Sequence, residues 1–528
     1  AAERTVAACD PDALLLSPNG AVPPGARLFP PGICDEPGAR GGRTVHLLLI
    51  SLNVSGVNVR IRLLTYSLTV ALLVLTGTRI GNAQTPSSAS RALSGAPNPS
   101  ELFAPNVLHA DIRTLIDVFQ TVHPDLYRTT SRRDLQRRAD SLIAAIDAPM
   151  TRQAFYIALA RLAASVGDGH TRVDFPADAF AYEARGGAVT FPATVQPSDE
   201  GLFVDRSCAP SPDLRPGSRI RAINGRDATE LFREIQRVVS GSDRYRQAAA
   251  GDRFPYLLWA HGVEAPFRAA FTTPDGTTRT TTIHGIHFSR VRTCLTDTAQ
   301  PLFHFERRGD VGILTLRHLR HPDRFRSFLQ SVADSLAHRP VEGLVLDLRG
   351  NPGGRSRVAT LMLSALTDEP VRLVARKDWK VSRPVQNRLR KTGGDYDRYL
   401  TARPGRRLSI DYPPAPLPTV PLSVDVPVAA LIGPGTFSSA ASLAAALQAH
   451  DLATLVGQET GGQASRFGEG HPFRLPHTRL RAMVSSARLI GPDEDARRRR
   501  GVSPDLPVPA SPRLDTDLAL GVAVGLVD

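Results

Sequence analysis

Lysine is nearly absent from this chain. Of 64 basic residues only Lys377, Lys380 and Lys391 are lysines, and arginine carries almost all of the formal net charge of +13. The arginines are scattered, the densest clusters being RRDLQRR from Arg132 to Arg138 and ARRRRG ending at Gly501. This skew reads as the codon bias of a GC-rich genome rather than as a binding surface. No basic stripe interleaved with aromatics, no zinc-ligand spacing and no phosphate-binding loop is present. The expectation is therefore no nucleic-acid partner, no metal and no cofactor. The chain is too long for one ordinary domain, so more than one core is expected.

A long apolar run is missing too. Leu63 to Leu75 is short for a membrane span and is closed off by Gly77 and Arg79. Arg60 and Arg62 precede it, and the small residues Gly81 and Ala83 follow it. That layout reads as a secretory signal over residues 58–83, with an uncleaved anchor as the alternative. Residues 1–57 have no sustained period and read as an unstructured or non-native leader, with the start of translation expected near Val54 or Val57. Residues 84–104 read as a polar linker.

Cysteine is scarce, at four residues. Cleavage after Ala83 removes Cys9 and Cys34 and leaves Cys208 and Cys294. In an exported protein, periplasmic or secreted, one remaining pair suggests one disulfide. Two unrelated buried thiols are the alternative.

Three regions follow. Residues 105–170 carry helical periodicity, with Ile112, Leu115, Ile116 and Phe119 on one face and Ser131 and Thr151 as N-caps. Residues 187–287 alternate short β-type runs with turns, including a tight Asn-Gly turn in LRPGSRIRAINGRD. Residues 301–510 alternate strands and helices, which predicts parallel α/β layering. A basic, Pro-rich insertion at 371–420 shows no period and reads as solvated surface rather than as a flap over a site. Residues 511–528 read as a tail.

Three stretches offer chemistry. In DLRGNPGG, Asp347 to Gly354, a buried strand ends in a Gly-rich turn before a helix, which exposes backbone N–H groups suited to an oxyanion. In GPGTFSSAAS, Gly433 to Ser442, two serines follow a similar turn. A serine there is either an exposed nucleophile beside the helix dipole or an ordinary N-cap. In SVGDGHTRVDF, His170 stands in a Gly-flanked turn, placed either as a general base or as a surface histidine. Taken singly, each has a plain structural explanation.

Taken in order, GDGHT, LVLDLRGNPGG and GTFSSA…LVGQETGG resemble the tail-specific, or C-terminal processing, serine peptidase family, in its histidine-containing, tricorn-core-like bacterial branch. VHPDLY and FGEGHPFRLPHT are similar to further segments of that branch. The resemblance runs from about Val107 to Val508. It implies an α/β, crotonase-like catalytic core, a helical N-terminal domain and a PDZ-like β-rich domain. It also implies an exported serine endopeptidase that acts on peptides or protein C-terminal tails, or on unfolded protein.

Carried over residue by residue, the resemblance makes Ser438 the nucleophile. The lysine-dependent branch has its base about 25 residues later, where Gln463 stands here. Histidine is then the substitute, and GDGHT puts His170 in that role. Backbone N–H groups of Gly353 or Gly354, and of Ser439, become the oxyanion donors. The third member is open: relatives carry a serine where Gly169 stands and often a glutamate where Arg500 stands. Glu469 is the replacement candidate, with Asp168 behind it. Three rivals remain at this point: a non-catalytic peptide- or ligand-binding protein on the same fold, an acyl-transfer or hydratase enzyme of the wider fold, and a structural envelope protein.

Overall fold

Ile112, Leu115, Ile116 and Phe119 are all buried along helix α1 (Pro105–Val122), as their spacing requires. The structure is a computed structural model that describes residues 47–54, 57–64, 100–209, 214–295, 301–393, 396–495, 499–509 and 517–528. The chain divides into two units, Ala1–Thr85 and Pro86–Asp528. In the first, Leu47–Val54 and Val57–Leu64 pair as antiparallel strands. The remainder of the expected leader and signal, and most of the linker, lie outside the described residues.

Helices α2 (Arg132–Ala145) and α3 (Arg152–Ala164) follow α1. Their caps, Ser131 and Thr151, accept the backbone N–H groups of Asp134 and Ala154. The chain then turns through Asp168 and His170 into a two-residue strand, β1 (Arg172–Val173).

Next comes an antiparallel sheet. Its strands are β2 (Ala193–Ser198), β3 (Gly201–Ser207) and β4 (Arg219–Ile223), then β5 (Phe267–Thr272) and β6 (Thr278–Ile283) after helix α4 (Ala228–Gln236). The order is β6-β5-β4-β3-β2. Asn224 and Gly225 both have positive φ and turn β4 back onto Arg226–Asp227, as an Asn-Gly hairpin does. Cys208 and Cys294 are joined in a disulfide, with Cα atoms 6.0 Å apart.

The α/β part begins with β7 (Phe303–Arg308), β8 (Val311–Leu316), helix α5 (Pro322–His338), β9 (Gly343–Asp347) and helix α6 (Ser356–Ser364). The segment expected as solvated surface holds β10 (Arg376–Lys380), α7 (Arg383–Thr392) and β11 (Arg407–Asp411), with Trp379 buried. Then come β12 (Val428–Ile432), α8 (Ser439–Ala449), β13 (Thr454–Gly457), β14 (Arg466–Arg474), β15 (Arg481–Ile490), β16 (Leu506–Pro507) and α9 (Leu518–Val527).

These strands form two sheets. The first has the order β7-β8-β9-β12-β13-β16 and is parallel from β8 onward. Side chains alternate across it. Leu344, Leu346, Ala430 and Ile432 pack with α5, α6 and α8, while Val345, Ala429 and Leu431 pack with α9. Helix α9 lies in the expected tail. Two glycines and an all-apolar composition hide it in the sequence, but Asp517 caps it and Arg349 clamps Asp517.

The second sheet is antiparallel, β11-β10-β15-β14, with β1 added against β15. That last pairing sets Val173 opposite Ala482 and Arg172 opposite Met483. It brings the turn holding His170 out of the helical region and over the α/β part.

Candidate active site

β9 and β12 are parallel neighbours, so both Gly-rich turns leave the sheet at the same edge. Two hydrogen bonds lock the turns together, and a third ties the first of them to β8. Thr436 Oγ1 donates to the Leu348 carbonyl at 2.8 Å, and the Phe437 N–H donates to the Asn351 carbonyl at 2.9 Å. Asn351, fully buried, donates from Nδ2 to the Leu316 carbonyl at 2.7 Å.

Ser438 stands at the head of α8 with φ +55° and ψ −126°. A left-handed φ at a residue with a Cβ costs about 1–3 kcal/mol and is kept only where the surroundings enforce it. Gly353 packs against it so closely that a Cβ at position 353 would lie 2.8 Å from the Ser438 Cβ. The Ser438 hydroxyl makes no capping bond to the helix. It meets His170 instead, with Nε2 3.0 Å from Oγ.

His170 is held on three sides. Its ring lies flat on Phe437, centroids 4.9 Å apart, and Phe437 in turn stacks on Tyr245 at 3.9 Å. Asp168 sits behind it, with Oδ1 accepting the His170 backbone N–H at 3.0 Å and lying 3.8 Å from Nδ1. Burial pulls the imidazole below its usual 6.5, Asp168 opposes that, and Arg466 and Arg172 add to it. The ring is therefore neutral at neutral pH and free to accept a proton through Nε2.

Asp168 is buried, yet its carboxyl is held well below the usual carboxylate range. Burial alone would raise it, and the hydrogen bonds and charges of His123 and His170 overcome that. Its Oδ2 accepts from Thr171 Oγ1 at 2.5 Å, Ser485 Oγ at 2.6 Å and His123 Nε2 at 3.4 Å. His123 Nδ1 accepts the Asp125 N–H at 3.1 Å, which fixes the proton of the neutral ring on Nε2, facing Asp168. Oδ2 is thus filled by donors from α1's end, the turn and β15, leaving Oδ1 toward His170.

Glu469 goes elsewhere. Its Oε1 accepts from Lys377 Nζ at 2.8 Å, and no hydrogen bond joins it to His170 among the described residues. Burial would raise its carboxyl, and Lys377, Arg466 and Arg388 together bring it below its ordinary value. Two of the expected oxyanion donors are engaged. The Gly353 N–H donates to Asn351 Oδ1 at 2.8 Å, and the Gly354 N–H donates to Ser439 Oγ at 2.7 Å.

Residues 310–508 match the sequence profile of peptidase family S41. The match covers the α/β part and leaves out the helical region and the β2–β6 sheet. The chain is a serine peptidase. No curated protein matches it by sequence.

Among solved structures the peptidase is similar to a CPAF mutant at 15% identity, covering 76% of this chain and 93% of that one with a TM-score of 0.58. It is similar to mature CPAF at 16% identity, over 77% and 94% of the two chains, with a TM-score of 0.53. A third match is mature CPAF complexed with lactacystin, at 16% identity, 80% and 97% coverage and a TM-score of 0.52. At such identities these likenesses show a shared fold.

Several residues of the peptidase's site escaped the sequence reading. His123 stands inside VHPDLY with no role of its own, and neither Ser485 nor Tyr245 carries a motif. Arg466 also carries no motif: it is 8% exposed, and its Nε and Nη1 have no hydrogen-bond partner among the described residues. Burial draws its guanidinium down to about 10, against the attraction of Glu469 and Asp168.

Proposed function

We propose that the chain is an exported endopeptidase that cuts peptides or protein C-terminal tails through an acyl-enzyme. The observation that carries this reading is the 3.0 Å contact between His170 Nε2 and Ser438 Oγ. Ser438 attacks the scissile carbonyl while His170 takes its proton. As the tetrahedral intermediate collapses, the C–N bond breaks and His170 returns that proton to the leaving amine. Water then attacks the ester carbonyl, giving a proton to His170, and Ser438 leaves with it.

Asp168 is the third member. It holds the Nδ1–H tautomer of His170 and offsets the charge of the imidazolium. His123, Thr171 and Ser485 are positioning residues that hold Asp168. Ser439 N–H is one oxyanion donor. Gly354 N–H becomes the second when the Ser439 hydroxyl moves aside, while Gly353 stays on Asn351.

The disulfide Cys208–Cys294 supports export, since such bonds persist in oxidising compartments. The β2–β6 sheet is our PDZ-like domain. Its edge strand β6 is mostly exposed and suits addition of a substrate tail as a further strand. The α/β part is our crotonase-like core. The test is cleavage of an unfolded protein offered with a free and with an amidated C-terminus. Cleavage in both, faster with the free terminus, is expected. Cleavage of neither by protein whose serine is chemically reactive would defeat the endopeptidase reading.

A further inference from the structure

A cavity of about 880 Å³ opens beside the oxyanion turn, lined among others by Arg320, Asp323, Arg324, Gly354, Arg355 and Arg357. It shares one residue with the site, Gly354, whose N–H donates to Ser439 Oγ at 2.7 Å. Four guanidinium groups face it against one carboxylate.

These four arginines differ from others nearby. Arg349 pairs with Asp347 and Asp517, Arg372 with Glu494, and Arg376 with Asp378. Arg320, Arg324, Arg355 and Arg357 make no side-chain ion pair or hydrogen bond to the described residues. Helices α5 and α6 also begin at this cavity, and neither His321 nor Arg355 at their heads supplies a side-chain cap. The positive ends of both helices add to the field of the guanidinium groups. A concave wall of one sign focuses that field and raises the local concentration of oppositely charged substrate.

We infer that this cavity is a subsite for acidic side chains, so that peptides with Asp or Glu close to the scissile bond are the preferred substrates. The inference rests on the serine-peptidase reading of Ser438 and names the substrate class for that site. Guanidinium forks match carboxylates in geometry as well as charge.

The test uses internally quenched peptides that differ only in Glu or Gln beside the cut, all with amidated C-termini. Side chains are then the only carboxylates that vary. For the full chain at low salt, kcat/KM is expected to favour the Glu peptides by about tenfold. The advantage should shrink at 0.5 M salt, roughly, because exposed charges are screened. In the double variant Arg324→Glu/Arg357→Glu the preference should disappear or reverse. Ser438 labelling by a fluorophosphonate should stay unchanged in that variant. Equal rates for Glu and Gln peptides, or a preference that survives the double variant, would overturn the inference. Absence of fluorophosphonate labelling in the wild type would instead overturn the peptidase reading beneath it.

Discussion

Gly169 and Phe437 are in contact: a Cβ at position 169 would lie 2.6 Å from Phe437 Cζ. The ring of Phe437 is the plate on which His170 rests. The pattern that GDGHT resembles has serine at this place, and this chain has no room for one while that stack is kept. Gly169→Ala should therefore displace either the ring or the imidazole. Fluorophosphonate labelling of Ser438 should slow by at least about tenfold, and overpacking should cost about 1–3 kcal/mol in thermal unfolding. Labelling at the wild-type rate would show that the stack does not set the position of His170.

The two carboxylate candidates separate cleanly. Asp168→Asn keeps the shape of the turn but removes the charge behind His170 and disturbs its tautomer. Labelling at neutral pH should fall by about a thousandfold or more. Glu469→Gln removes the charge paired with Lys377 and attracting Arg466, neither of them bonded to His170 among the described residues, and should leave most of the rate. The opposite ranking, measured on the same probe, would assign the third place to Glu469.

His123 is tested by two substitutions that divide its hydrogen bonds. His123→Asn can still accept the Asp125 N–H but cannot reach Asp168, whereas His123→Gln keeps a donor near Nε2 and loses the turn contact. In the wild type the labelling rate should stay high to below pH 6.5, because His170 titrates below its usual value. Asp168 remains ionised through that range, so the acid limb belongs to His170. Arg172 and Arg466, the other charged groups acting on that ring, are unchanged in both variants. In His123→Asn the carboxylate loses a donor and acts more fully on His170. The limb should move to higher pH, and the rate at its plateau should fall by about tenfold. His123→Gln should stay close to wild type. An unaltered pH profile in His123→Asn would reduce His123 to a turn residue.

Much of this site was legible from sequence, and what was missed has a physical cause. Ser438 and the NPGG turn are visible because strand-to-helix turns are local and Gly-rich, and His170 because glycines flank its helix-to-strand turn; their roles come from the ordered resemblance. The donors around Asp168 did not, since Ser485 lies 317 residues away and meets it only through the pairing of β1 with β15. The strands β10 and β11 were hidden for a similar reason. RKDWK alternates weakly, and its partners Leu489 and Ala487 come more than a hundred residues later. Helix α9 carries no polar face because its exposed side is itself apolar, at Leu518, Val522 and Leu526. Periodicity therefore had nothing to read.

Ser439 holds the Gly354 N–H through its hydroxyl. Ser439→Ala removes that competitor while keeping the backbone N–H at 439. Labelling should then be as fast as in the wild type or faster, since a preorganised free donor needs no displacement. A loss of about a hundredfold would mean that the hydroxyl itself assists the reaction.

Ser438 is proposed as a nucleophile driven by His170. Mapping the fluorophosphonate adduct by peptide mass spectrometry, in wild type and in His170→Ala, tests it directly. One adduct is expected, on Ser438, and it should be lost in His170→Ala while the variant stays folded. An adduct on Ser439, or undiminished labelling of Ser438 without His170, would contradict it.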